Sequence, residues 1–219
     1  MSHNFFGGLI QRIVKAQTSF TPTAWDPLKK ESTIQLSNLN RTAFFPNTGT
    51  SNFGSVGSVG GRSAGKFYWE VTFDQSSEDQ NTIGIGIVRD GINWETQHVN
   101  DRNVYYSALN GGKNINGTST PYGDSYGPGD IVGIALDIDL GAVWFSKNGT
   151  WQAGATINEI ETGVTTNAAY AGLLAGVYYA YLGHGSVNDG TMTLTANFGA
   201  TPFTFTVPEG FAAGFGPPA

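Results

Sequence analysis

From Trp25 onward, apolar and polar residues alternate in short runs, the pattern of half-buried strands. "TIQLSN" alternates, and "KFYWEVTF" joins aromatic to β-branched residues that suit a pleated surface. "TIGIGIV" alternates isoleucine with glycine, which leaves room for another backbone or a bulky side chain. "NVYYSAL", "DIVGIALDI", "AVWFSK", "AGLLAGVYY" and "TMTLTANF" continue the series. Turn signals separate them at Asn110-Gly111, Asn116-Gly117, Gly127-Pro128-Gly129, Asn148-Gly149 and Asp189-Gly190. Short strands without helices between them predict an all-β domain, a sandwich or a barrel. "GSVGSVGG" (54–61) reads as a strand running into a flexible loop.

The segment "GDIVGIALDIDLGAVWFSKNGTW" sets a register of its own. Val132, Ile134, Leu136 and Ile138 share one strand face, while Ile131, Gly133, Ala135, Asp137 and Asp139 share the other. A turn at Leu140-Gly141 pairs Ile138 with Val143, Asp137 with Trp144 and Leu136 with Phe145. Asn148-Gly149 makes a second tight turn, because both positions need φ > 0. The expectation is a three-stranded meander with both aspartates and Trp144 facing solvent.

The first 17 residues differ from the rest. Phe6, Leu9, Ile10, Ile13 and Val14 recur at helical spacing, predicting a helix over about 9–16. With Phe5, this apolar set either covers an edge of the main domain or anchors the chain to a larger assembly. Residues 18–24 form a Thr/Pro linker, 25–211 the main domain, and 212–219 a Gly/Ala/Pro tail expected to be loosely held.

Composition narrows the function classes. Gly accounts for 31 of 219 residues and charged residues for only 13%, as suits a turn-rich β protein. The net charge of −6 and the lack of a basic patch argue against nucleic-acid binding. The absence of cysteine removes disulfides, thiol nucleophiles and Cys-ligated zinc. No apolar run approaches the roughly 20 residues of a membrane span, and the N-terminus lacks the layout of a secretory signal.

Catalytic patterns are weak. Asp137 and Asp139, at i and i+2 on a strand, lie about 6–7 Å apart, a glycosidase-like distance. Yet an open face offers neither carboxyl the apolar pocket that splits their pKa values, and D-x-D-x-G lacks the remaining ligands of a calcium loop. "GRSAG" (61–65) matches the nucleophile elbow, but a strand follows it where a helix is required, so Ser63 reads as a loop residue. His3, His98 and His184 have no second ligand at i+2 or i+4, and His184 is expected at a loop tip. No metal site or cofactor is expected. Trp94 and Trp144 are stronger candidates, since an outward Trp offers rigid contact area to a protein or a sugar.

Taken in order, "WDP…TIQLSN", "SAGKFYWEV", "IGIGI", "YYSALNGGKNING", "YGDSYGPGDIVGIALDIDLGAVWFSKNG", "TLTANFGATPF" and "PEGF" resemble a SPRY (B30.2-like) domain over about residues 22–211. The resemblance implies a two-sheet antiparallel β-sandwich of the concanavalin-like kind, which binds through rim loops and is not an enzyme. It implies that "LDIDLG" is a structural hairpin. In peptide-gripping members a Tyr in a "Y-x-A-L-x-G" context lies on the binding surface, which falls here on Tyr106, with Asn110 in the same turn. The Asn/Gly-rich turns are similar in style to SPRY domains of bacteriophage virion and bacterial surface proteins.

Three functions follow as expectations. The first is a virion decoration, head-fibre or tail module, assembled in the host cytoplasm. Residues 1–17 would anchor it to other virion proteins, and its rim would face a host glycan or protein. The second is a free-standing, otherwise cytoplasmic, peptide-binding module. The third is a glycan hydrolase using Asp137 and Asp139. Assembly into a homo-oligomer is left open.

Overall fold

The computed structural model describes residues 23–47, 52–77, 82–95, 102–186 and 190–216. Residues 1–17, with the proposed anchor Phe5, Phe6, Leu9, Ile10, Ile13 and Val14, lie outside the described residues, as do His3 and His98. The strands are β1 (Trp25–Lys30), β2 (Gln35–Ser37), β3 (Thr42–Phe45), β4 (Asn52–Ser58), β5 (Lys66–Ser76), β6 (Ile83–Arg89), β7 (Asn103–Ser107) and β8 (Lys113–Ile115). They continue as β9 (Thr118–Thr120), β10 (Ile131–Asp137), β11 (Ala142–Lys147), β12 (Thr150–Trp151), β13 (Tyr170–Ala171), β14 (Tyr178–Ser186), β15 (Met192–Asn197) and β16 (Ala212–Ala213). Among the described residues, a 3-10 turn (Gln152–Gly154) and one short α-helix, α1 (Ile157–Thr162), interrupt them.

The strands form two sheets. One runs β1-β4-β14-β6-β7-β8-β9, and the other β12-β11-β10-β5-β15-β3-β2, with β13 against β11 and β16 against β5. All pairings are antiparallel except the short parallel contact of β16 with β5. This is the expected two-sheet sandwich.

Alternation builds the core. Ile83, Ile85 and Ile87 of the first sheet face Trp69, Val71, Phe73, Ile134, Leu136 and Phe145 of the second, all fully buried. Burying each large apolar side chain contributes about 1.5–3 kcal/mol, so this layer dominates the stability. Gly84 and Gly86 are needed on the outer side of β6: a Cβ on Gly84 would lie 2.3 Å from the Tyr105 ring, and one on Gly86 2.1 Å from the Val104 carbonyl oxygen.

The outer face of the second sheet departs from expectation. Trp144 and Asp137 do point away from the main core, but they are buried, not solvent-facing. Trp144 sits in a second core with Tyr68, Ala135, Ala142, Ile160 and Phe211, roofed by α1 and by the chain around 203–211. The helix responsible was readable as "TINE" followed by Gly163. Thr156 Oγ1 accepts from the Glu159 amide at 3.2 Å, Glu159 Oε2 accepts from the Thr156 amide at 2.8 Å, and Gly163 closes the helix at φ 74°.

The hairpin register differs by two residues: Leu136 faces Val143, Ala135 faces Trp144 and Ile134 faces Phe145. The turn spans Ile138 to Gly141, with the Gly141 amide donating to the Ile138 carbonyl at 3.1 Å. A slip of two keeps every side chain on its face, which is why the face assignment stands although the pairing does not. Asn148-Gly149 forms the two-residue turn as expected, with φ of 49° and 81°.

The described part of the C-terminal tail, as far as Gly216, packs on the domain, and residues 217–219 lie outside the described residues. Phe215 lies buried with its ring centroid 4.8 Å from that of Trp69, and the Gly214 amide donates to the Tyr68 carbonyl at 2.7 Å. "AGLLAGVYY" is not one strand: only Tyr170–Ala171 pairs before a loop leads into β14.

Candidate functional site

The residues singled out by sequence do not converge on one place. Trp94 is half-buried and lies across β4, where a Cβ on Gly57 would come within 2.4 Å of its ring, and it meets Tyr179 edge-on at 6.3 Å. Trp144 belongs to the second core on the other side of the molecule. His184 is a buried residue of β14, not a loop tip, with its ring 6.0 Å from that of Phe45. The glycines beside it misled. Gly183 does not break the strand; it leaves space for Tyr181, whose hydroxyl would lie 2.0 Å from a Cβ there. Ser63 is an exposed loop residue.

Asp137 and Asp139 are separated by environment. Asp137 is buried, pairs with Lys66 Nζ at 2.9 Å and accepts from the Leu140 amide at 2.9 Å. Asp139 is exposed and accepts from the Gly65 amide at 3.0 Å. Both carboxylates hold the hairpin turn. Among the described residues, no group of three or more His, Asp or Glu side chains could hold a metal ion, and no helix is long and apolar enough to cross a membrane.

Tyr106 and Asn110 do lie at the same end of the sandwich, though not as the resemblance implied. Tyr106 is fully buried, stacked on Phe145 with ring centroids 5.8 Å apart. Its side chain points inward because β7 alternates Val104 and Tyr106 toward the core. Only its hydroxyl reaches the rim, where it donates to the Asp124 carbonyl and lies 3.3 Å from Gln152 Oε1. Asn110 is exposed, and its Oδ1 accepts from the Gly112 amide at 2.9 Å, fixing the β7–β8 turn.

The loop 121–130 beside that turn is pinned from below. Gln152 Oε1 accepts from the Asp124 amide at 2.9 Å, and the Tyr126 hydroxyl donates to the Tyr106 carbonyl at 2.8 Å. Tyr122 Oη accepts from the Phe145 amide at 3.2 Å. The two loops are tied directly, Gly123 amide to Gly111 carbonyl at 2.8 Å, so closely that a Cβ on Gly111 would sit 2.1 Å from the Gly123 oxygen. Burial pushes the Tyr122 phenol up to about 12, partly offset by the Phe145 amide. Burial likewise raises Tyr106, helped by the nearby Asp124.

Asp130 closes the loop. Its carboxylate accepts from the Gly127 amide at 2.9 Å and from Asn148 Nδ2 at 2.6 Å, with Lys147 Nζ 3.4 Å away. Burial opposes its ionisation, but these partners outweigh it and leave its pKa below the usual aspartate value. Lys147 Nζ also donates to the Ser125 carbonyl at 2.6 Å.

Between these parts lies a cleft of about 470 Å³, lined by Ser76, Ala108, Leu109, Ser125, Pro128 and Lys147 among others. Leu109 stands 47% exposed at its edge. The supporting residues Gln152, Tyr122, Tyr126 and Asp130 were not recognised in the sequence. "PYGDSYGPGD" carried the signal: two tyrosines and two aspartates inside a turn-rich stretch.

A rigid antiparallel sandwich with a cleft framed by short pinned loops defines a scaffold-and-loops binding module. The comparisons place it further: residues 66–173 match the SPRY domain family. Ran-binding protein 10 of Danio rerio is 25% identical over 195 residues, covering 86% of this chain and 29% of that protein. Ran-binding protein 9 of Homo sapiens is 28% identical over 142 residues, covering 62% of this chain and 19% of its own length. The chain thus spans under a third of these relatives. In fold it is similar to the SPRY domain of human HERC1, with a TM-score of 0.63 at 17% identity over 82% of this chain and 100% of that one. Stonustoxin gives a TM-score of 0.57 at 18% identity, covering 81% of this chain and 27% of that one.

Proposed function

We propose that this chain is a non-enzymatic interaction module that grips a segment of a partner protein across the rim formed by residues 108–112 and 121–130. The observation carrying this reading is the pinned cleft with exposed Leu109 at its edge. Loops already held in place lose little entropy when a ligand binds, so even a small contact area yields measurable affinity. The cleft's size lies within the roughly 300–1,000 Å³ usual for ligand sites. The SPRY family match and the Ran-binding relatives support a protein ligand over a glycan.

The narrower role on a bacteriophage virion rests on the style of the turns and on residues 1–17, and the relatives found do not favour it. The test of the rim is selection from a random dodecapeptide library on the immobilised chain. Leu109→Ser and Ser125→Arg should each deplete the recovered peptides while leaving the melting temperature unchanged. Recovery of the same peptides by both variants sinks the assignment.

A further inference from the structure

The outer face of the second sheet holds a cleft that the rim does not use. Alternation puts Trp144 and Ser146 of β11 on this face. The ladder sets Ser146 opposite Gly133 of β10, which in turn faces Glu70 of β5. Gly133 leaves a gap in this row: a Cβ there would lie 2.5 Å from Ser146 Oγ and 2.8 Å from Tyr68 Oη. Two hydroxyls therefore flank bare backbone. Over them, between the start of α1 and the chain around 205, lies a cleft of about 380 Å³ lined by Tyr68, Ser146, Trp151, Ala155, Ile157 and Phe205 among others. It shares no lining residue with the rim cleft.

One carboxylate fixes the walls. Glu70 is buried and accepts from the Tyr68 hydroxyl at 2.9 Å and from the Thr204 and Phe205 amides at 3.0 and 2.9 Å. Tyr68 meets Trp151 edge-on with ring centroids 6.3 Å apart, and the Asn148-Gly149 turn seats Phe205, whose ring a Cβ on Gly149 would meet at 2.6 Å. Burial, and then the Glu70 charge, raise the Tyr68 phenol, which stays the donor in this pair while its oxygen can still accept. Ser146 lacks such a partner. It is only 1% exposed, and its hydroxyl makes no hydrogen bond among the described residues. Two positions along β11, the fully buried Trp144 indole N–H is also without a partner among the described residues. Buried polar groups are nearly always hydrogen-bonded, because an unmet one costs stability.

We propose that this cleft, independent of the rim, binds a small neutral aromatic molecule carrying one hydroxyl, of the phenol or naphthol class. The rings of Tyr68, Trp151 and Phe205 select a flat aromatic body. No Asp, Glu, Lys, Arg or His lines the cleft, so nothing in it would balance a charged ligand. The ligand's hydroxyl accepts from Ser146 Oγ and donates to Tyr68 Oη, which gives the buried serine the partner it lacks. The volume lies within the roughly 300–1,000 Å³ usual for ligand sites.

The test titrates the full chain with 2-naphthol and follows amide chemical shifts. Shifts should fall on residues 146–157 and 203–207 and leave 108–112 and 121–130 unmoved, so the result does not depend on the rim. Ser146→Ala should weaken 2-naphthol about fivefold or more. The same variant should melt at or above the parent, because the hydroxyl it removes has no partner in the fold. Naphthalene, which lacks the hydroxyl, should bind more weakly than 2-naphthol and equally to parent and variant. No shifts up to the solubility limit of 2-naphthol, shifts elsewhere on the sandwich, or an affinity unchanged in Ser146→Ala overturns the proposal. So does naphthalene binding the parent as tightly as 2-naphthol.

Discussion

The two ends of the sandwich are held together by different means. At the rim, the rings of Tyr106, Tyr122 and Tyr126 are part of the main core, and their oxygens bond the backbone of the chain around them. At the far end, the turn 138–141 is held by the Lys66–Asp137 ion pair, by Asp137 and Asp139 accepting from the Leu140 and Gly65 amides, and by short backbone bonds. The rim therefore draws on the core through three tyrosines, whereas at the far end one, Tyr178, does so, its buried ring's hydroxyl donating to the Leu174 carbonyl at 2.6 Å. A tyrosine suits this task because the ring is buried like Phe while the hydroxyl needs a partner at the edge.

The largest effect should come from removing a ring that serves both core and rim. Tyr106→Ala should destabilise the fold by about 3–5 kcal/mol through the cavity left against Phe145, measured by urea unfolding. A loss below about 1 kcal/mol would show that the rim is not braced by the core. Lys66→Ala tests the other end. It leaves Asp137 buried with the Leu140 amide, and it should cost about 1–3 kcal/mol, tempered because Lys66 is partly exposed.

Tyr106→Phe sharpens the contrast, since it removes only the hydroxyl. Stability should fall by about 1 kcal/mol. Amide exchange should quicken in 121–130 but not in 138–141; equal quickening at both ends would remove the distinction. The smallest effect is on pH dependence. The folded-state pKa of Asp130 lies below its unfolded value, so its contribution is present above about pH 4 and fades as acid brings the pH down through the folded value. Asp130→Asn should flatten the acid limb of the stability curve in that range, and an unaltered limb would contradict the loop-closing role.

How much of this could be read from the chain follows from what alternation encodes. Period-two patterning gives the face of each residue, so the sandwich, the inward set Leu136/Phe145 and the Asn148-Gly149 turn were legible. Alternation does not say whether the outer face meets water. On the outer face of β15, Thr193 and Thr195 remain partly exposed, whereas Trp144 on β11 is roofed by a helix arriving from 157–162 and by the 203–211 segment. The bulky outward Trp was the hint that a cover existed. Nor does a motif say how deep its residue sits. Tyr106 of "YSALNG" lies at the rim end, but the strand's alternation sends the ring inward, and the exposed residues of the motif are Leu109 and Asn110. Gln152 was invisible because its loop partner, Asp124, is 28 residues away.

The most direct measurement is a titration followed by amide chemical shifts. The labelled protein would be the full chain, and the ligand would be a dodecapeptide selected on it. Shifts concentrated in residues 108–112 and 121–130, lost on adding Leu109→Ser, are the expected result. Shifts confined to the outer faces of the sheets, or undiminished by Leu109→Ser, would contradict a binding rim at this end of the sandwich.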